Sequence, residues 1–178
     1  MRINEIFYSV QGEGFHSGRA AIFIRFSGCN LKCSFCDTDH SLKMELSQKE
    51  ILTEISKYDC KFVVLTGGEP ALQVTQEFVS LLQDDGYYVA IESNGTKELP
   101  KADWITISPK ENWIVKKGNE LKLVYDHQNL SEVINGTDFE HYFLQPKSML
   151  NTENVLEQVK KFPFWKISTQ MQNVWNIR

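Results

Sequence analysis

A chain of 178 residues, 42% apolar and 24% charged, can bury one substantial core and predicts a single domain over 1–178. Its formal charge of −4 gives no electrostatic basis for general nucleic-acid binding, and no apolar run approaches the ~20 residues of a membrane span. The first residues, Met-Arg-Ile-Asn-Glu, carry no apolar leader, and three clustered cysteines with one apart do not form a secreted disulfide pattern, so a reducing cytoplasm is the expected setting.

From Glu5 a short strand is predicted, running into the Gly-rich turn Gln11-Gly-Glu-Gly14, which places Gln11 and the Gly12 backbone within reach of a ligand; the plain reading is a hairpin or loop. Ala20–Phe26 predicts a strand with Ala21, Phe23 and Arg25 on one face and Ile22, Ile24 and Phe26 on the other. An arginine in so apolar a strand needs an anion if buried. Either a structural carboxylate or a ligand carboxylate held by the guanidinium fork meets that need.

The strand leads into Cys29-Asn-Leu-Lys-Cys33-Ser-Phe-Cys36, three thiols within eight residues. Thiols at this density inside a cell are metal ligands. Three are one short of a closed tetrahedral site, so a 4Fe–4S cluster held here would keep one iron open. Spacing alone leaves open a closed zinc site with Cys60 as fourth ligand.

Ser47-x-x-Glu50 reads as a capping box ahead of Ile51, Leu52 and Ile55. Phe62–Leu65 predicts a buried strand ending at Thr66-Gly67-Gly68-Glu69-Pro70. The two glycines allow close backbone approach to a ligand, and Glu69 offers an acceptor for an ammonium; a strand-to-helix turn with Pro70 near its first position is the simpler alternative. An apolar stripe at Phe78, Val79, Leu81 and Leu82 stops before Gly86. Further strands are predicted at Tyr87–Ile91, Trp104–Ile107, Leu121–Tyr125, Tyr142–Leu144 and Trp165–Ile167. Helices are expected around Leu130, Val133 and Ile134, and after a Thr152 cap around Val155, Leu156 and Val159. Segments 92–103 and 108–120 lack helical periodicity, so those crossovers should be helix-free.

Alternating strands and helices imply right-handed βαβ units. A complete eight-fold barrel typically needs ~250 residues, so a partial barrel of about six parallel strands is expected, with ligands at the carboxyl ends of the strands. Most of the polar punctuation falls there, including Ser93-Asn94-Gly95, Ser108-Pro109-Lys110 and Gln145-Pro146-Lys147-Ser148, although turn chemistry explains each of these by itself.

The Cys-x3-Cys-x2-Cys spacing, with Phe35 before the last cysteine, resembles the radical S-adenosylmethionine (SAM) signature, and the Gly-Gly-Glu-Pro element agrees with it. The denser pattern "Phe-Tyr-Ser-Val-Gln-Gly-Glu-Gly…Gly-Arg…Ala-Ile-Phe-Ile-Arg-Phe-Ser-Gly-Cys-Asn-Leu…Cys-x-Phe-Cys-Asp-Thr" over residues 5–39 resembles the 7-carboxy-7-deazaguanine synthases. The resemblance implies a reduced radical SAM core in which an open iron chelates SAM, and a deoxyadenosyl radical converts 6-carboxy-5,6,7,8-tetrahydropterin to 7-carboxy-7-deazaguanine with loss of ammonia, toward queuosine-type deazapurines. It assigns the 4Fe–4S cluster to Cys29, Cys33 and Cys36. Substrate contacts fall to Val10, Gln11, Gly12, Arg25, Thr66 and Gln172. SAM contacts fall to Phe35, Cys36, Asp37, Gly68, Glu69, Ser108, Pro109, Lys110, Gln145, Pro146, Lys147 and Ser148, and Mg2+ falls to Thr38.

The resemblance further implies a homodimer and an electron donor such as flavodoxin. The family's C-terminal region often reads Gln-Thr-His-Lys; here Gln172 stands in place of the His. The rival readings are an activase that installs a glycyl radical on a partner protein, and a non-catalytic metal-binding module.

Overall fold

The computed structural model describes residues 1–36 and 38–177, except for the side chain of Ser148. One nine-stranded sheet runs through the chain in the order β3-β1-β2-β4-β5-β6-β7-β8-β9. Strands β1 (Arg2–Val10) and β2 (Ala20–Phe26) form an antiparallel hairpin, and the two-residue β3 (Met44–Glu45) adds antiparallel to β1. From β2 onward every pairing is parallel: β4 (Phe62–Gly67), β5 (Tyr88–Ser93), β6 (Trp104–Ile107), β7 (Lys117–Tyr125), β8 (Asp138–Pro146) and β9 (Lys166–Ile167). Counting β2, the parallel part has seven strands rather than six, because the short β9 docks on β8 through Leu144 and Ile167.

Helices α1 (Gln48–Ile55) and α2 (Gln76–Asp84) cover the outer face of the first half. The expected capping box at α1 forms, with the Ser47 side chain accepting from the Glu50 N–H. Ile51, Ile55, Phe78, Val79 and Leu82 pack there on Ile22, Ile24, Phe26, Val63, Leu65, Val89 and Ile91. Helices α3 (Leu130–Asn135) and α4 (Thr152–Lys161) cover the second half over Leu121, Leu123, Leu144 and Trp165. Thr152 is the first residue of α4 rather than its cap; its hydroxyl donates to the Met149 carbonyl. No helix joins β5 to β6 or β6 to β7, as the aperiodic sequence requires.

Strand alternation sends the opposite set of side chains inward. Ala21, Phe23, Phe62, Val64, Ala90 and Trp104 form an inner apolar floor with Phe7. Phe62, Tyr88 and Trp104 sit at or next to the starts of their strands, and the loop after β1 lays Phe15 and His16 on them, with ring centroids 4.9 Å apart for both Phe15–Trp104 and His16–Phe62. That packing seals the amino-terminal end of the sheet, and burial among these rings and Arg19 drops His16 to about pKa 4.

The sheet curls until its two sides meet. Helix α5 (Met171–Trp175), a segment without helical periodicity, follows β9 and sits on the loop after β1. Met171 N–H donates to the Gly12 carbonyl (3.1 Å), and Gly14 N–H donates to Ser168 Oγ (3.0 Å). Among the described residues, no helix is long and apolar enough to cross a membrane.

Candidate active site

The carboxyl ends of the strands open into a cavity of about 870 Å3. Its wall is an inward-facing row set by register. Arg25 on β2 lies beside Thr66 on β4, Glu92 comes from β5, Lys122 and Val124 from β7, and Gln145 from β8. Val10, Gln11 and Gly12 border the cavity at the end of β1, and Gln172 borders it from α5.

Cys29, Cys33 and Cys36 line the same cavity and form no disulfide. Two N–H groups are aimed at Cys29 Sγ, from the Leu31 backbone at 3.4 Å and Asn94 Nδ2 at 3.9 Å. Burial pushes the Cys33 thiol up against the pull of Lys110; a bound cation would reverse that by displacing the proton. Among the described residues, no three His, Cys, Asp or Glu side chains stand close enough to cage a metal ion without movement of the loop. The donor set fits an iron–sulfur cluster in chemistry: three soft ligands on one short loop, facing a cavity that leaves room beside them. Cys60 lies at the other end of β4, its Sγ 3.5 Å from the Ala20 carbonyl at the start of β2.

The Gly67-Gly68 turn crosses under the cysteine loop. A Cβ on Gly68 would meet the Gly28 carbonyl oxygen at 1.9 Å, and Gly67 has φ +112°, so only glycine lets the two loops touch. Gly68 lines the cavity, but Glu69 does not. Glu69 is fully buried behind the turn. Its Oε1 accepts from Ser93 Oγ (2.7 Å) and Ala71 N–H (2.9 Å), and its Oε2 from Asn94 N–H (2.8 Å). Burial raises its pKa against those hydrogen bonds. In this structure these oxygens take up protein donors: they pin the Ser93-Asn94-Gly95 turn, and through it Asn94, to the cysteine loop.

Phe35, Cys36, Ser108, Lys110, Gln145 and Pro146 border the cavity. Lys110 is largely buried, which lowers its pKa; its ammonium donates to the Ser108 carbonyl at 3.2 Å. Pro109 and Lys147 instead line an adjoining cavity of about 570 Å3, whose walls share Cys33, Phe35 and Lys110 with the first. The two ammonium groups flank Phe35, 5.5 Å (Lys110) and 5.4 Å (Lys147) from its ring centroid. Asp37 and the side chain of Ser148 lie outside the described residues. Thr38 lines the cavity, its Oγ1 3.3 Å from Arg25 Nη1.

Glu13, Glu92 and Lys122 also line this cavity and were not singled out from the sequence; nor was Glu120, which is buried on the same strand as Lys122. The Lys122 side chain is 4% exposed and lies 2.7 Å from Glu13 Oε2 and 3.5 Å from Glu92 Oε2. Gln11 Nε2 donates to Glu92 Oε1, and Gln172 Nε2 to Glu13 Oε1, both at 2.8 Å. The available signal was alternation in Leu121-Lys-Leu-Val-Tyr125, which sends Lys122 to the face opposite the leucines.

A model of the radical SAM superfamily matches residues 23–109, from β2 through the cysteine loop and the Gly-Gly turn to Pro109. Over 99% of this chain and 98% of the relative, the sequence is 48% identical to a 7-carboxy-7-deazaguanine synthase of Bacteroides thetaiotaomicron. It is 35% identical to one from Bradyrhizobium diazoefficiens, over 99% and 98%. The fold is similar to the crystal structure of QueE from Escherichia coli, with a TM-score of 0.80 at 28% identity, covering 95% of this chain and 93% of that one. Likeness of this depth from one end of the sheet to the other makes the chain a member of the 7-carboxy-7-deazaguanine synthase family, within the radical SAM superfamily.

Proposed function

We propose that the protein is a radical SAM lyase that converts 6-carboxy-5,6,7,8-tetrahydropterin to 7-carboxy-7-deazaguanine with loss of ammonia, on the route to queuosine-type deazapurines, and that residues 1–178 act as one radical SAM domain. The observation that carries this reading is the shared cavity: three free thiols, the Gly-Gly turn and Arg25 face one enclosed space, on a chain of this family. A glycyl-radical activase needs room for a protein segment, whereas this cavity is walled on both sides by the curled sheet.

The 4Fe–4S cluster and SAM that the family uses supply the organic radical that starts the reaction. Cys29, Cys33 and Cys36 would hold the cluster, and it would supply the electron that cleaves SAM. Gly68, the Ser108–Lys110 corner and Gln145 line the SAM side, and Lys110 and Lys147 bring positive charge to Phe35. Arg25 binds the substrate carboxylate, with Thr66 beside it in register. Val10, Gln11, Gly12 and Gln172 border the pterin. Thr38 gives its hydroxyl to Mg2+, an oxygen-seeking ion, next to the carboxylate that Arg25 holds. The cysteines form no disulfide, which suits a cytoplasmic enzyme. A homodimer and a flavodoxin-type electron donor complete the proposal, supported by the family resemblance alone.

The test is anaerobic incubation with SAM, a reductant and the carboxypterin, followed by mass analysis. A ring-contracted carboxylate, formed with SAM regenerated, is expected. SAM cleavage with the carboxypterin recovered unchanged would overturn the assignment.

A further inference from the structure

Lys122 is the cation on which the far wall of the cavity turns. A buried ammonium is costly unless paired, and this one is bracketed by carboxylates from two other elements: Glu13 after β1 and Glu92 on β5. Glu120 on its own strand and Lys110 are the other charged groups that act on it. Burial alone would lower the lysine's pKa, but Glu13, Glu92 and Glu120 outweigh it and keep it charged. In return, Lys122 and the amides of Gln172 and Gln170 hold the Glu13 carboxyl below its ordinary range against the cost of burial.

Each bridged carboxylate has a second oxygen, and each of those is spent on a glutamine that borders the cavity: Glu92 on Gln11, Glu13 on Gln172. Among the described residues, Gln172 Oε1 then has no hydrogen-bond partner, although it is buried. The wall that carries Glu13 and Glu92 therefore holds acceptors fixed largely by one ammonium: the two carboxylates directly, Gln172 through Glu13, and Gln11 through Glu92 together with the Glu13 N–H that its Oε1 accepts at 3.1 Å.

We propose that Lys122 is a positioning residue for substrate recognition: by bridging Glu13 and Glu92 it locks them, with Gln11 and Gln172, into an acceptor wall that reads the N–H edge of the substrate's aminopyrimidinone ring. This rests on the pterin reading above and deepens it. Arg25 takes the carboxylate end of the substrate, and the Lys122 wall takes the end that carries N–H donors. Without the ammonium, two partly buried carboxylates would face each other without their shared counter-ion, and one would take up a proton or swing away. A protonated carboxyl offers a donor where the ring also offers donors, so recognition is lost while the cysteine loop is untouched.

The experiment compares wild type, Lys122→Met, Lys122→Arg and the double variant Glu13→Gln/Lys122→Met, all reconstituted anaerobically. Four quantities are read: KM for the carboxypterin, its equilibrium binding by calorimetry, slow 5′-deoxyadenosine formation without substrate, and thermal midpoint. Lys122→Met is expected to raise KM and Kd at least about tenfold. Uncoupled 5′-deoxyadenosine formation should stay within about twofold of wild type. The ratio of variant to wild-type KM should fall as pH rises, since base restores the carboxylates, and Lys122→Arg should recover part of the loss. Unchanged KM and Kd in Lys122→Met would overturn the proposal. So would a KM loss accompanied by equal loss of uncoupled cleavage, or a KM ratio that ignores pH, since either marks a structural role. If Lys122→Met does not fold, the double variant, which carries one buried charge fewer, decides by the same readings. Wild type that neither binds nor converts the carboxypterin would overturn the pterin reading and this proposal with it.

Discussion

Arg25 Nε donates to Glu5 Oε1 at 2.8 Å, across the antiparallel β1–β2 pair in which the two residues are register partners. The structural carboxylate anticipated for an arginine in an apolar strand is thus present. It engages the Nε edge, while Nη1 turns to Thr38 inside the cavity. Glu5 aims the fork, and the forward nitrogens face the ligand space. Arg25→Lys keeps the charge but loses the fork. It is expected to raise KM for the carboxypterin about ten- to a hundredfold, with cluster content and uncoupled SAM cleavage unchanged. A pterin without the carboxylate should bind both proteins about equally weakly. A variant that loses stability while substrate affinity holds would reduce Arg25 to an ion pair.

The cysteines separate cleanly by position. Cys29→Ala, Cys33→Ala and Cys36→Ala should each lose iron and sulfide after anaerobic reconstitution, and with them all SAM cleavage. Cys60→Ala should reconstitute as wild type, because its thiol lies at the other end of β4. Elemental analysis and the visible absorption of the cluster report this directly; a loss in Cys60→Ala would reopen a four-cysteine site.

Thr38→Ala removes an oxygen donor beside Arg25. Turnover should fall and lose most of its response to added Mg2+, while 5′-deoxyadenosine still forms. A titration of rate against Mg2+ decides it: the wild-type curve in the variant would move the ligand elsewhere.

Glu120 is nearly fully buried and accepts the Phe15 N–H at 3.0 Å; burial raises its pKa to about 7, only partly offset by Lys122. A carboxyl with a raised folded-state pKa holds its proton more tightly when folded. Its stabilising contribution is therefore complete below the unfolded value near 4.5 and disappears as pH climbs through 7. Glu120→Gln keeps the acceptor and cannot ionise. It should melt above wild type at pH 8.5 by up to about 3 kcal/mol, with the gap narrowing toward pH 6. Thermal unfolding across that range checks the prediction, and an offset independent of pH would refute it.

What the sequence revealed divides along physical lines. Local rules were sufficient for the capping box at Ser47, the face assignment of Arg25, the helix-free crossovers and the strand that leads into the cysteine loop, because each depends on near neighbours. The cavity's far wall depends on register between β1, β5 and β7, which no local pattern encodes. Neither Glu92 nor Lys122 was singled out from the sequence, since each lies inside or at the end of a short apolar strand. The setting of Glu69 was equally illegible: Ser93, Asn94 and Ala71, which come from the turn and from the strand end beside it, supply the donors that hold its carboxylate under the turn. Helix α5 escaped for a similar reason. Five residues without a buried apolar stripe carry no periodicity, and the segment is held by Gly12 and Glu13 instead.

The seam between α5 and the loop after β1 also sets an order of events. Glu13 and Gln172 are 159 positions apart, so their bond closes a loop that contains nearly the whole sheet. Closing so large a loop gains nothing until the intervening strands are registered, which makes this seam a late step in folding and the first to loosen under thermal fluctuation. A ligand that spans from Arg25 to Glu13 would stitch the seam shut, so occupancy of the pocket and cohesion of the curled sheet rise together. With the pocket empty, the curled sheet would be loosest at this seam.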